Sequence, residues 1–150
     1  MAVSPQRLHE LLKHCMDFGR IMLEDSGEFY PFGAVIGADG KLMAVGGYDG
    51  NERPKSQDIY RLLFNALAFD ARAGNVLAVA LAANVNIPTA YKPPSPDGLR
   101  VHLEAEGYSR FVYVPYTLAK GRMFKKTTIA KYDEPISVDV PAKLFPRPKA

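Results

Sequence analysis

Apolar residues near the start of the chain recur at helical spacing: Leu8, Leu11, Leu12, Cys15, Gly19, Met22 and Leu23 share one face. Ser4 is placed to cap that helix, Pro5 suits its first turn, and Ser26-Gly27 ends it. The pattern then changes to short apolar runs, Phe32 to Ile36 and Leu42 to Val45, around Asp39-Gly40, a pair that supplies the positive φ angles of a hairpin turn. Gln57 to Ala73 predicts a second helix, with Ser56 as N-cap and Gly74 as stop. It is apolar nearly all round, with a narrow polar stripe of Asp58, Arg61, Asn65 and Arg72, so burial on most sides is expected. Val76 to Ala83 is a continuous apolar run, the mark of a central strand covered on both faces. Leu99 to Glu106 alternates strictly: Leu99, Val101, Leu103 and Ala105 fall on one face, Arg100, His102, Glu104 and Glu106 on the other. The second set is expected to be solvated. Gly107-Tyr108-Ser109 turns into a strand over Arg110 to Tyr116, Arg122 to Tyr132 adds another with a cationic edge, and Ile136 to Val140 can pair as a short edge strand.

These elements predict a single α+β domain, a central and mainly antiparallel sheet with two helices in the order α-β-β-α-β-β-β-β. Residues 1–132 form the domain and 133–150 a Pro-rich extended tail, with Pro135, Pro141, Pro146 and Pro148. A 150-residue chain that is 47% hydrophobic is one ordinary domain. There is no leader pattern, and no apolar run approaches the roughly 20 residues that cross a bilayer, so a cytoplasmic protein is expected. The single cysteine, Cys15, lies on the apolar face of the first helix and reads as a small buried hydrophobe.

The opening helix, the Tyr30-Pro-Phe-Gly-Ala-Val-Ile strand and the second helix resemble the start of the cytidine-deaminase-like fold. That resemblance implies zinc held by a His or Cys at the start of the second helix beside a catalytic Glu, and by two Cys of a Pro-Cys-x-x-Cys turn. Here the helix begins Ser56-Gln57-Asp58 and the chain has one cysteine, so a thiolate-ligated deaminase centre is excluded and no metal is expected. Over its whole length the chain resembles a group of small uncharacterised bacterial proteins, through its Phe-Tyr-Pro-Phe-Gly-Ala, Ser-Gln-Asp, Ala-Val-Ala-Leu-Ala-Ala and Leu-Arg-Val-His-Leu-Glu segments. This second resemblance implies size and fold and carries over no functional residues.

Charge is uneven. Thr117 to Ala150 holds 8 Lys or Arg against 3 Asp or Glu, while the rest holds 11 against 13. Lys120, Arg122, Lys125, Lys126 and Lys131, interleaved with Phe124 and Tyr132, could face nucleic acid, but a net charge of +3 without a recognisable module falls short of that footprint. A Lys-rich edge strand that blocks aggregation explains them as well. The loop from Gly46 to Ser56 leads from a strand to a helix N-terminus, where amide donors and the helix dipole favour an anion, and Arg53, Lys55 and Ser56 would join it. Asp49 and Pro54 stand where a phosphate-binding loop has glycines, so it is not one. The loop Pro88 to Gly98 is stiff with proline, and its Tyr91 and Lys92 are candidates for a lid or an interface.

His9 and His14 read as solvated; His102, with glutamates on its strand face, is the one histidine placed for acid–base work or ligand binding. No nucleophile elbow, metalloprotease, nucleotide-binding or dinucleotide-binding motif occurs, so no catalytic residue and no cofactor is assigned. The leading expectation is a non-catalytic binding domain for a protein partner or a second copy of itself as a homodimer. Nucleic acid and membrane are disfavoured. The alternative is an enzyme or small-ligand binder with an anion-accepting pocket near the second helix's N-terminus, built from Arg53, Lys55, Ser56 and His102.

Overall fold

Two helices take opposite faces of one antiparallel sheet. The computed structural model describes residues 3–47, 54–120 and 128–145. The elements are α1 (Pro5–Ser26), β1 (Phe32–Gly37), β2 (Leu42–Gly46), α2 (Ser56–Arg72), β3 (Val76–Asn86), β4 (Asp97–Ala105), β5 (Tyr108–Lys120), β6 (Thr128–Tyr132) and β7 (Ile136–Asp139), with one 3₁₀ turn at Thr89–Tyr91. The expected α+β class and element order hold, and β7 makes the sheet seven-stranded. Strand order is β2-β1-β3-β4-β5-β6, with β7 also on β5.

Strands β6 and β7 run along the same outer side of β5, which is long enough to hold both. Tyr132 faces Tyr116 and Ile136 faces Tyr113, so one extra residue is inserted between the two pairings. The irregularity coincides with Pro135, which has no N–H to give a ladder. The segment read from sequence as a tail therefore supplies β7, and beyond it Leu144 and Phe145 enter the core at 1% and 9% exposure.

Alternation divides the strands between two cores. Ala78, Ala80 and Ala82 of β3, Leu99, Val101 and Leu103 of β4, and Val112 and Val114 of β5 face α1, where they meet Leu8, Leu11, Cys15 and Leu23. Val79 and Leu81 face α2 and meet Ile59, Leu63 and Leu67, together with Leu144 and Phe145. Gly19 lets α1 approach closely: a Cβ there would stand 3.3 Å from the Tyr132 hydroxyl, which donates to the Met16 carbonyl at 2.7 Å.

Local expectations hold at α1, where the Arg7 amide donates to the Ser4 side chain and Gly27 closes the helix at φ 76°. Others need correction. The hairpin turn places only Gly40 at positive φ; Asp39 keeps negative φ and its carboxylate accepts from the Lys41 amide, the geometry of a longer hairpin loop. Ser56 is the first helical residue of α2, and Lys55 is the N-cap, without a side-chain cap. Nor is α2 buried nearly all round: Leu62 is 43% and Phe69 69% exposed, because the sheet covers only one side of it. His14 is partly buried, with Nε2 shielded from solvent and its ring edge-on to Phe18. The largest correction concerns the face of β4 expected to be solvated: Glu106 is exposed and Arg100 partly so, but His102 is 2% exposed and Glu104 fully buried.

Candidate functional site

α2 lies over β3 and β1 and leaves the same face of β4 and β5 to be covered by other groups. Cross-strand registers place Val79 beside Glu104, Leu81 beside His102 and Ala83 beside Arg100. On the other side, Ser109, Phe111 and Tyr113 sit opposite the same three residues. A row of polar side chains on β4 thus lies between mostly apolar neighbours, partly roofed by α2.

Glu104 is the most heavily used of the three. Lys143 N–H donates to its Oε1 at 3.0 Å, and Leu144 and Phe145 N–H donate to Oε2 at 2.7 and 2.6 Å. The Ser109 hydroxyl lies 3.3 Å from Oε1, and His102 Nε2 2.9 Å from the same oxygen. Burial alone would raise this carboxyl, but the hydrogen bonds from His102 and the three amides outweigh it and hold the group below its ordinary value. An ionised carboxylate only accepts, so Nε2 of His102 carries a proton and Nδ1 is its remaining polar atom. The imidazole is flanked by Phe64, stacked at 6.4 Å, and Phe111, edge-on at 5.2 Å.

Arg100 is built differently. Its guanidinium carbon lies 4.5 Å from the Phe111 ring centre and 5.4 Å from that of Tyr60. Its Nε is shielded from solvent and has no hydrogen-bond partner among the described residues. Burial pushes the neighbouring Tyr113 hydroxyl above its ordinary range, against the pull of the Arg100 charge and of a hydrogen bond from the Arg100 side chain.

These groups border a cleft of about 700 Å³ between the N-terminal half of α2, β3 and β4. Tyr60 and Phe64, one turn apart and with rings 6.5 Å apart, form one wall, and Pro31, Ala83 and Val85 contribute apolar surface. Arg61, Arg100, Lys143 and His102 line it, and none of the described lining residues is acidic. Asn84 also lines it, with its Oδ1 engaged by the Tyr116 hydroxyl at 2.8 Å. At the α2 end, Ser56 and Gln57 lie on the rim, and Lys55 offers their amides no side-chain cap.

Of the residues singled out from sequence, Ser56 and His102 meet in this cleft. Lys55 is exposed beside it and does not line it, and Arg53 lies outside the described residues. Tyr91 and Lys92 are exposed; the Tyr91 ring stands 5.5 Å from that of Tyr113, and neither residue lines the cleft. Their loop is tied at its base, where Ile87 N–H donates to the Pro96 carbonyl and the buried Ser95 hydroxyl to that of Tyr116. Of the basic C-terminal set, Lys120 and Lys131 are exposed, while 122–126 lie outside the described residues. Tyr132 is half-buried, with Arg20 over its ring at 4.8 Å, so it is not a free stacking platform. Sequence reasoning missed Arg100, Glu104, Tyr60 and Phe64 as site residues.

Among the described residues, no three His, Cys, Asp or Glu side chains gather as metal ligands, and no helix is long and apolar enough to cross a membrane. No family model, curated protein or solved structure matches this chain. What the site can bind is therefore argued from its own residues. It offers an Arg100 Nε without a partner among the described residues, aromatic walls, and no carboxylate among the described lining residues.

Proposed function

We propose that this chain binds a small anionic molecule in the cleft under the N-terminal half of α2. One observation carries the reading: Arg100 lies over two aromatic rings with a solvent-shielded Nε that no group among the described residues satisfies. A buried donor without an acceptor costs about 1–3 kcal/mol, so its retention makes sense where a ligand supplies the acceptor. The cleft volume falls within the roughly 300–1,000 Å³ usual for small-molecule sites, and its mixture of apolar walls with a few polar groups is also usual for them.

The test is a thermal-shift screen of small carboxylates, phosphates and sulfonates against the protein and its Arg100→Met variant. A ligand at a hundredfold its Kd stabilises by about 2.7 kcal/mol, which for this size of chain raises Tm by roughly 5–10 °C. The expected result is such a rise for at least one anion, lost in Arg100→Met. If every anion leaves both proteins unmoved, the reading fails.

A second reading, docking of a protein partner or a second copy, rests on the outer face of α2, where Leu62, Ala66 and Phe69 are exposed in one stripe. Light scattering across a concentration series tests self-association. A Phe69→Lys variant that leaves the mass distribution unchanged would remove this stripe as the contact.

A further inference from the structure

Resting on the anion-binding reading, we infer that the ligand is a monoanionic, planar carboxylate conjugated to an aromatic or heteroaromatic ring. Phosphorylated molecules are the excluded class.

The first argument is directional. The Arg100 guanidinium carbon lies over the rings of both Tyr60 and Phe111, and aromatic rings in such contacts commonly pack on the faces of that planar group. The donors not used on Tyr113 lie in its own plane, along its edge. Two coplanar donors match the two coplanar oxygens of a carboxylate in a fork-to-fork pair. A tetrahedral phosphate takes donors from several directions, which phosphate sites supply with clustered amides or converging cations. Here the other cationic side chains among the described lining residues, Arg61 and Lys143, belong to exposed residues.

The second argument is charge balance. At the floor, Arg100 brings one positive charge and Glu104 one negative charge, with His102 between them. The Glu104 charge is compensated by its amide donors and His102, not by Arg100. Arg100 is thus free to balance one negative charge on a ligand. A dianion would bring a second charge to a floor where the described residues supply no further fixed cation.

The third argument concerns shape. Carboxylate and ring are coplanar in an aryl acid, so a carboxylate in the plane of Arg100 extends its ring alongside the aromatic walls that contact the guanidinium. The Tyr60 and Phe64 rings, 23° from parallel, provide a stacking surface on that path.

The experiment is isothermal titration of a matched set: 2-naphthoate, 2-naphthyl phosphate, 2-naphthamide and cyclohexanecarboxylate. The expected result is one-to-one binding of 2-naphthoate, at least about tenfold tighter than any of the others. Arg100→Lys keeps the charge and loses the planar fork, so it should weaken 2-naphthoate about tenfold or more. Phe64→Leu removes one stacking ring while keeping an apolar wall. It should weaken 2-naphthoate and leave cyclohexanecarboxylate unchanged, which keeps the inference open to refutation should the Arg100 variant misfold. Tighter binding of the phosphate, or equal binding of the saturated acid, overturns the planar-carboxylate assignment while the anion cleft stands. If none of the four binds and no other anion raises Tm, both the assignment and the cleft reading fall.

Discussion

Replacing Glu104 by Gln keeps the volume of the side chain and removes its charge, which isolates what the buried carboxylate does. Five donors converge on its two oxygens: the amides of Lys143, Leu144 and Phe145, the Ser109 hydroxyl and His102 Nε2. A glutamine can turn its oxygen to Leu144 and Phe145, leaving its NH₂ group towards Lys143, Ser109 and His102. The imidazole can answer by shifting its proton to Nδ1, and the serine hydroxyl can accept, but the Lys143 amide can only donate and loses its partner. Two bonds also fall from charge-assisted to neutral strength, a loss of about 1 kcal/mol each. The orphaned amide adds about 1 kcal/mol, at the low end for such a group because Lys143 is exposed and water can reach it. Relief of burying a charge works the other way. The net expectation is a loss of about 2 kcal/mol near neutral pH, read by urea denaturation followed by circular dichroism, since the chain has no tryptophan.

The pH dependence of that loss is a sharper test than its size. The folded Glu104 pKa lies below its ordinary value of 4.5. Its stabilisation is thus complete above the unfolded value and disappears as pH falls through the lower, folded one. The native protein should lose stability as the pH drops below about 4.5, and the Gln variant should lose less over the same window. A variant within about 0.5 kcal/mol of the native protein at neutral pH, with an unchanged acid slope, would refute the claim that this carboxylate organises the C-terminal segment.

Two further perturbations probe the framework. In β1, a Cβ added to Gly33 would stand 2.9 Å from the Ala80 carbonyl oxygen, a backbone atom that cannot swing aside, so Gly33→Ala should cost about 1–3 kcal/mol in urea unfolding; Gly46→Ala on the edge strand meets nothing within 4 Å and should be near neutral or stabilising. Cys15 is fully buried and burial pushes its thiol up to about 12, so a disulfide exchange reagent should leave the native protein unlabelled at mildly alkaline pH and label it fully in concentrated guanidinium chloride.

The fold was legible because its signals are local. Ser4 and Pro5 start one helix, Gly27 stops it, and the runs at Phe32, Val76 and Arg110 are too short and apolar to be anything but strands. The site was half legible: Ser56 and His102 were singled out, and both line the cleft. Arg100 and Glu104 were seen as neighbours of His102 and assigned to solvent, since strict alternation ordinarily marks a half-exposed strand. What reverses that inference is non-local. β4 has β3 and β5 on its two sides, α2 approaches from β3, and residues some 40 positions downstream lay their amides on Glu104. None of this follows from the period of the strand. One signal was present, however: Leu144-Phe145 is an apolar pair inside a proline-rich tail, which only a surface to bury it would explain.

If Leu144 and Phe145 are seated by Glu104, the two kinds of attachment should act as one unit, and a double-mutant cycle can show it. Leu144 is 1% exposed, and a buried Leu→Ala change typically costs about 2–5 kcal/mol. The lower end is expected, because a short segment with β7 as its only strand can lift away and let water fill the space. Once it has lifted, the amides that met Glu104 are solvated and the carboxylate has already lost them. Leu144→Ala and Glu104→Gln made together should therefore cost clearly less than the sum of the two, by about 1 kcal/mol or more. Hydrogen exchange at the Leu144 and Phe145 amides should accelerate in each single variant alike, ahead of any change at β3. Strict additivity, with those amides protected as in the native protein, would mean that the carboxylate and the apolar pair are independent. The segment would then be held by packing alone, and Glu104 would serve mainly to fix the proton on His102 Nε2 at the floor of the cleft.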